Sequence, residues 1–398
     1  MIFRPGFARP EDEWSEHMAQ IVLIAPTYLP SRRANTFQVM KMAAALAGLG
    51  REVRLLVPLP GGAHPPDTDV QPVWPDLAGH YGVAAAFEIE WLPSAPARRG
   101  YDFGLRAAAR ARALGGDLVY SRHPQAAAAA SLRGMPAIYE IHDVPHGFMG
   151  PVLLRLFLRG RGARRLVAVS RALQADLEQN FRLPPAPFSV AEPDGVDLER
   201  FTGLPGPEAA RAQLGLPGGF TAGYTGHLYA GRGIETILEM AGRMPEIRFL
   251  LVGGRAADLE RTRTLAAGLA NVTLAGFVPN AILPVYQAAC DALLMPYGKK
   301  IAGSSGGDIA PYLSPMKLFE YMASGRPILS SDLPVLREVL DEETAVLLPP
   351  GDVEAWTAAL KALTAEPDRL RRFGVAARAA ADRYGWQARA ERIVAGLG

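Results

Sequence analysis

Short runs of consecutive apolar residues recur along this chain, each followed by turn residues and then by apolar positions at helical spacing. The runs at 21–25, 53–57, 118–120, 137–139 and 166–170 in the first half, and 221–225, 249–252, 271–276, 292–295, 328–329 and 346–348 in the second, show no polar alternation. Continuous runs predict strands covered on both faces, as in a parallel sheet, rather than strands with one wet face. Between them the spacing predicts helices from 35 or 36 to 49 closed by Gly50, 172–180 capped by Ser170, 234–244, and one capped by Asp352 that ends at 363. A final helix, 371–397, is interrupted near 384–386. This β–loop–α alternation is the signature of doubly wound α/β architecture, in which ligands meet the carboxyl ends of strands. Proline and glycine density between 184 and 219 marks a boundary. The expected organisation is a disordered extension at 1–17, an N-terminal domain at 18–195, a C-terminal domain at 196–380, and a last helix at 381–398 that returns to the first domain.

One stretch breaks its own local rules. In 314–331, Ser314 suits an N-cap and Pro315 the first helical position, Leu318, Phe319 and Met322 share an apolar face, and Gly325 with Pro327 ends the helix. Lys317 in the first turn opposes the helix dipole, where a capping box would place Glu or Gln. A bound anion would reverse that sign, because free N–H groups and a lysine can hold a phosphate together, with Glu320 one turn deeper able to accept from sugar hydroxyls. The alternative is a capped core helix with a solvated Lys and Glu.

Length and composition narrow the field. A chain of 398 residues suits two domains, and a formal charge of +2 points to no nucleic-acid partner. Cys290 is the only cysteine, which excludes an intrachain disulfide and fits a reducing cytoplasm. No apolar run is long enough for a transmembrane helix, and the N-terminus lacks a signal-peptide pattern. The balanced total hides a local surplus: between 98 and 171 stand thirteen arginines against four carboxylates. Within it, 151–161 sets cations beside strongly apolar residues, which suits either peripheral contact with an anionic membrane or a core helix with a solvated face.

Three further segments carry candidate chemistry. The loop 26–36 holds Arg32, Arg33 and Asn35 and lacks the G-x-G-x-x-G dinucleotide fingerprint. The glycine-rich turn Gly226-His227…Arg232-Gly233 lies between strand and helix, where backbone N–H groups approach phosphate. His142 follows the strand at 137–139 and stands beside Asp143. Asp67 and Asp69 match a two-carboxylate metal motif, but nothing nearby completes a site, and no metal is expected.

The segment Lys317-Leu-Phe-Glu320-Tyr-Met-Ala-x-Gly325-x-Pro327 resembles the donor-binding signature of the GT4-type retaining glycosyltransferases. The 140–143, 166–172, 194–201 and 224–233 segments are similar to other parts of that family. The resemblance implies the GT-B fold, two Rossmann-like domains facing each other across a cleft. It implies transfer of a sugar from a UDP- or GDP-sugar to a saccharide or lipid-linked acceptor, with no added cofactor. Its implied roles are the catalytic centre for His142, Arg232 and Lys317, and the ribose for Glu320. Donor contacts fall to Gly226, His227, Phe277, Val278, Ser314, Met316 and Leu318, and the acceptor-side loop to Arg32, Arg33 and Asn35. Two positions depart from the pattern. The first of the family's paired glutamates is replaced by Tyr312, so that Asp308 is the candidate for the sugar contact, and His227 stands where a cation is usual. These departures keep open a non-catalytic sugar-nucleotide-binding subunit, and a GT-B-fold nucleotide-sugar epimerase or phosphorylase stands as a further alternative.

Overall fold

The computed structural model describes residues 2–3, 20–59, 74–95, 101–302 and 307–397. It divides into two compact units, 1–193 with 386–398, and 194–385. The first unit holds a sheet of strands β1 (Ile2–Phe3), β2 (Gln20–Ile24), β3 (Glu52–Pro58), β4 (Glu88–Leu92), β5 (Leu118–Ser121), β6 (Ala137–Ile141), β7 (Ala163–Ala168) and β8 (Ser189–Ala191). Their order is β1-β4-β3-β2-β5-β6-β7-β8, parallel from β2 to β8, with β1 antiparallel on the β4 edge. Apart from Ile2–Phe3, the extension expected at 1–17 lies outside the described residues, as do Asp67 and Asp69. The second unit holds β9 (Thr221–Thr225), β10 (Arg248–Val252), β11 (Val272–Gly276), β12 (Ala292–Met295), β13 (Ile328–Ser331) and β14 (Val346–Leu348), all parallel, in the order β11-β10-β9-β12-β13-β14. Each unit is thus an α/β, Rossmann-like sheet, as the resemblance implies.

The apolar runs read as they do because both sheet faces are covered. In β10, Leu250 and Val252 join one buried cluster while Phe249 and Leu251 join another, and β12 divides the same way, Leu293 and Met295 against Ala292 and Leu294. Burying a Leu, Val, Phe or Met side chain in this way is worth about 1.5–3 kcal/mol relative to exposure, so successive positions of these strands, rather than alternate ones, are apolar. β4 escaped the sequence pattern because its sequence, EIEWL, carries two glutamates. Those charges are paired inside the fold: Arg54 bridges Glu88 and Glu90, and Arg110 reaches Glu90 at 2.7 Å.

Strand order reverses at two places, between β2 and β5 and between β9 and β12, because the chain winds outward from β2 and β9 in one direction and then in the other. Such switch points open a crevice above the strand ends. The loops after β2 and β9 lie there. Helix Met149–Arg159 buries Leu153, Leu154 and Phe157 and turns Arg155 and Arg159 outward, with Phe148 84 % exposed at its start. The last helix, Trp386–Val394, packs on Ala34–Gly48 within the first unit. Ser170 and Asp352 cap their helices as expected, accepting from the backbone N–H groups of Leu173 and Ala355.

Candidate functional site

In the second unit, β9 enters the turn 226–233 and leaves it as helix Ile234–Arg243. Gly226 has φ 129°, and a Cβ there would stand 2.7 Å from the Lys317 ammonium. Gly233 has φ 76°, and its Cβ would fall 1.8 Å from the Pro296 carbonyl oxygen. Both positions therefore need glycine, for backbone conformation and for close approach. The turn is pressed against the segment after β12 on one side and against Lys317 on the other.

Lys317 lies in the first turn of helix Met316–Ala323, whose N-terminus has no side-chain cap. The expected cap is corrected by the structure: Pro315 occupies the N-cap position, and the Ser314 hydroxyl instead accepts the Asp194 N–H at 2.8 Å, fastening the helix start to the segment after β8. The Lys317 ammonium is buried without a hydrogen-bond partner and sits 3.6 Å from the Tyr224 ring centroid and 5.5 Å from that of Tyr297. The Arg232 guanidinium lies 5.0 Å from the Tyr229 ring and 5.1 Å from Tyr297, with its Nε also unpartnered. Among the described residues neither cation has an ion-pair partner. Two cations thus share a cage of tyrosine faces, which attract them through the ring quadrupole without neutralising them. Burial, and then the neighbouring Arg232, push the Lys317 pKa well down, against a smaller pull from Glu320. A buried cation pair without a carboxylate is what a dianionic ligand would complement.

Glu320, one turn on, accepts from Gln287 Nε2 at 3.1 Å, and the same nitrogen reaches Thr225 Oγ1 at 3.3 Å. Gln287 is fully buried. The Thr225 N–H donates to the Tyr321 hydroxyl at 2.8 Å, so the end of β9 and this helix are tied together on the side where Glu320 projects. Leu318 is core, 1 % exposed, and its N–H is taken by the Pro315 carbonyl at 2.8 Å. Asp308 Oδ1 accepts the N–H groups of Ile301 and Ala310, at 2.9 and 3.0 Å, which closes its own loop. Those two bonds hold its carboxyl below the ordinary carboxylate range. His227 stacks on Tyr229 with centroids 5.1 Å apart, and its carbonyl accepts the Tyr224 hydroxyl at 2.6 Å. Phe277, 37 % exposed, follows β11, and Val278 packs partly against the core below it.

In the first unit the helix Ala34–Gly48 begins at exposed Arg32, Arg33 and Asn35, and the Asn35 carbonyl accepts from Arg122 at 3.0 Å. His142 follows β6 and bonds through Nε2 to Glu140 Oε1 at 2.5 Å. Burial, then Arg122, push its pKa down to about 4 against the pull of Glu140, so the imidazole is neutral near pH 7. Glu140 itself went unnoticed in the sequence. Its signal was there: it is the one charge in AIYEI, a strand with every residue buried. The tyrosines of the cage gave no such signal, since Tyr224 and Tyr297 look like ordinary core residues.

Comparison with known proteins gives the family. Residues 37–200 match the model described as Glycosyltransferase Family 4, and residues 218–366 match Glycosyl transferases group 1. The chain belongs to the group 1, family 4 glycosyltransferases. Among curated relatives of this GT4 protein, the D-inositol 3-phosphate glycosyltransferase of Xylanimonas cellulosilytica is 27 % identical over 386 residues, 87 % of each chain. The GDP-mannose-dependent alpha-(1-6)-phosphatidylinositol monomannoside mannosyltransferase of Mycolicibacterium smegmatis is 27 % identical over 66 % of this chain and 70 % of its own length. Against several other D-inositol 3-phosphate glycosyltransferases the chain spans about half of the relative's length. Anabaena HepE, solved in complex with UDP and glucose, matches in fold with a TM-score of 0.70 at 19 % identity, over 96 % of this chain and 99 % of HepE.

Proposed function

We propose that this GT4 chain moves a sugar from a nucleoside diphosphate sugar, with UDP or GDP as carrier, to a hydroxyl of a saccharide or lipid-linked acceptor, retaining the anomeric configuration. The observation that carries the reading is the buried Lys317 ammonium, unpartnered and 2.7 Å from where a side chain at Gly226 would begin, with Arg232 in the same tyrosine cage. A diphosphate set against that turn and the uncapped helix start would pair both cations. As the bond from the anomeric carbon to the phosphate oxygen breaks, charge grows on the leaving diphosphate, and fixed cations favour that state over the ground state. The acceptor oxygen bonds to the anomeric carbon, and its proton passes to the departing phosphate oxygen. Glu320 accepts from the ribose hydroxyls, and His142 accepts from a hydroxyl of the transferred sugar.

The acceptor class rests on two supports. Relatives carry inositol phosphate or phosphatidylinositol in their names. In this chain Phe148 is 84 % exposed and Met149 38 % at the start of a helix whose Arg155 and Arg159 face outward, which suits peripheral contact with an anionic membrane surface at the cytoplasmic face. The non-catalytic alternative, a sugar-nucleotide-binding subunit, keeps its support in Tyr312 and His227. Thermal unfolding with a panel of UDP-, GDP- and ADP-sugars, for wild type and Glu320→Ala, is the test. One nucleotide class should raise the wild-type midpoint, with the rise weakened in the variant. Stabilisation equal in both proteins, or stabilisation without turnover for any acceptor offered, overturns the reading.

A further inference from the structure

Glu140 is buried on every side, and its two oxygens are fully subscribed. Oε2 accepts the Tyr120 hydroxyl and the Arg389 guanidinium, at 3.3 Å from NH1 and 3.2 Å from NH2. Oε1 accepts Gln38 Nε2 at 2.6 Å and His142 Nε2 at 2.5 Å, with Arg122 Nε at 3.9 Å. The direction of each bond can be deduced. Arg122 NH1 donates to Gln38 Oε1 at 2.6 Å, so the Gln38 amide must present its NH2 to Glu140. Arg389 donates to the carbonyls of Pro193 and Glu192, at 2.7 and 3.0 Å, and is itself fully buried. Every other partner of Glu140 is a donor, so the carboxyl is an ionised acceptor: burial alone would raise its pKa, but Arg389, His142 and Arg122 hold it well below the ordinary range. The imidazole must therefore give Nε2–H to Glu140. Nδ1 is then left as a lone-pair acceptor, on the side chain of this network that still reaches solvent, 29 % exposed.

We propose that Glu140, braced by Arg389 of the last helix, is the positioning residue of His142, fixing the Nε2–H tautomer so that Nδ1 is held as an acceptor for a sugar hydroxyl. The proposal rests on the transferase reading for the identity of that hydroxyl, and on the network alone for the tautomer. The charged and titratable groups facing His142 are Glu140 on its own strand, Arg122 after β5, Arg389 on the last helix, and Asp143 with His146 on its own loop, the last two bonded to each other at 2.8 Å. The two arginines oppose a second proton on the ring, and Glu140 favours it. Balanced this way the ring stays neutral with one tautomer.

The test uses the full chain. Glu140→Gln alone strands a buried guanidinium, so the double variant Glu140→Gln/Arg389→Gln, which removes both charges, is compared with it. Long-range nitrogen–proton correlations of the imidazoles, assigned by loss of the His142 signals in His142→Asn, read the tautomer directly. Wild type should show neutral His142 with the proton on Nε2 from pH 6 to 8, and the double variant a mixed or inverted tautomer. Its kcat should fall about 10- to 100-fold, the scale of one lost charged hydrogen bond, while KM for the nucleotide sugar stays within twofold. His142→Asn, which sets a carbonyl oxygen near the place of Nδ1, should keep more activity than His142→Ala. On the His142→Asn background the double change should cost little more, because its effect acts through the ring. A double variant with an unchanged tautomer, or a full additive loss on the Asn background, overturns the proposal. If no nucleotide sugar is turned over by wild type, the transferase reading falls while the tautomer measurement still decides the network.

Discussion

Replacing Lys317 with Met separates binding from stability. The side chain keeps its length and loses its charge. With a nucleotide diphosphate present, a charged hydrogen bond worth about 1.5–3 kcal/mol disappears, which is about 10- to 150-fold in Kd. Without nucleotide the sign reverses. The buried, unpartnered ammonium costs about 1–3 kcal/mol, and the faces of Tyr224 and Tyr297 return only about 0.5–2 kcal/mol of it. The variant should thus gain about 1 kcal/mol in the ligand-free state, a rise of about 2–4 °C in midpoint for a unit of this size. Thermal unfolding with and without the nucleotide sugar should show the two proteins crossing: the variant melts higher alone and lower in the complex. There is a pH signature as well. Because the folded Lys317 pKa is depressed below 10.5, the unfolded chain binds the extra proton between the two values, and wild-type stability rises with pH through that window. A bound diphosphate draws the proton back, so affinity should weaken as pH rises there. Lys317→Met lacks both slopes. A variant stabilised by nucleotide as strongly as wild type would refute the reasoning.

Three other outcomes follow from named contacts. Gly233→Ala sets a Cβ 1.8 Å from the Pro296 carbonyl at φ 76°, and should cost about 3 kcal/mol or more, read by urea unfolding of the second unit's tryptophan Trp356. Arg122→Met removes a cation that holds His142 near pKa 4, so the imidazole should titrate upward in a proton NMR series. In wild type that same depression, below 6.5, means stability is lost as pH falls through the interval between 6.5 and 4, and the variant should lose less of it. Sedimentation with anionic vesicles should retain the wild-type chain at low salt and release it at high salt, and Phe148→Asp with Arg155→Glu should abolish retention; equal retention by the variant would remove the membrane support.

The apolar runs were legible as strands where the buried positions are themselves apolar, and failed where a buried position carries a paired charge. β4 hid behind Glu88 and Glu90, because a strand whose charges are paired by Arg54 and Arg110 carries no apolar pattern to read. The helix at 316–323 was legible, and so was the oddness of Lys317, since dipole and cap rules act over a single turn. Its cap was not. Ser314 looked like an N-cap by type, yet its hydroxyl accepts a bond from Asp194, 120 residues away in the chain.

By itself the sequence determined what short-range physics determines: the parallel α/β alternation, the glycine turn between β9 and its helix, and a lysine that local rules disfavour. Only the tertiary structure decided what surrounds those residues. It brought Tyr224, Tyr229 and Tyr297 around Lys317 and Arg232, tied the exposed Asp308 carboxylate to N–H groups of its own loop, and placed Arg389 on Glu140 across 249 residues of chain. Such partners leave no periodic trace. What surrounds a buried charge depends on which distant elements converge on it, and convergence belongs to the strand order and its switch points, not to any one segment.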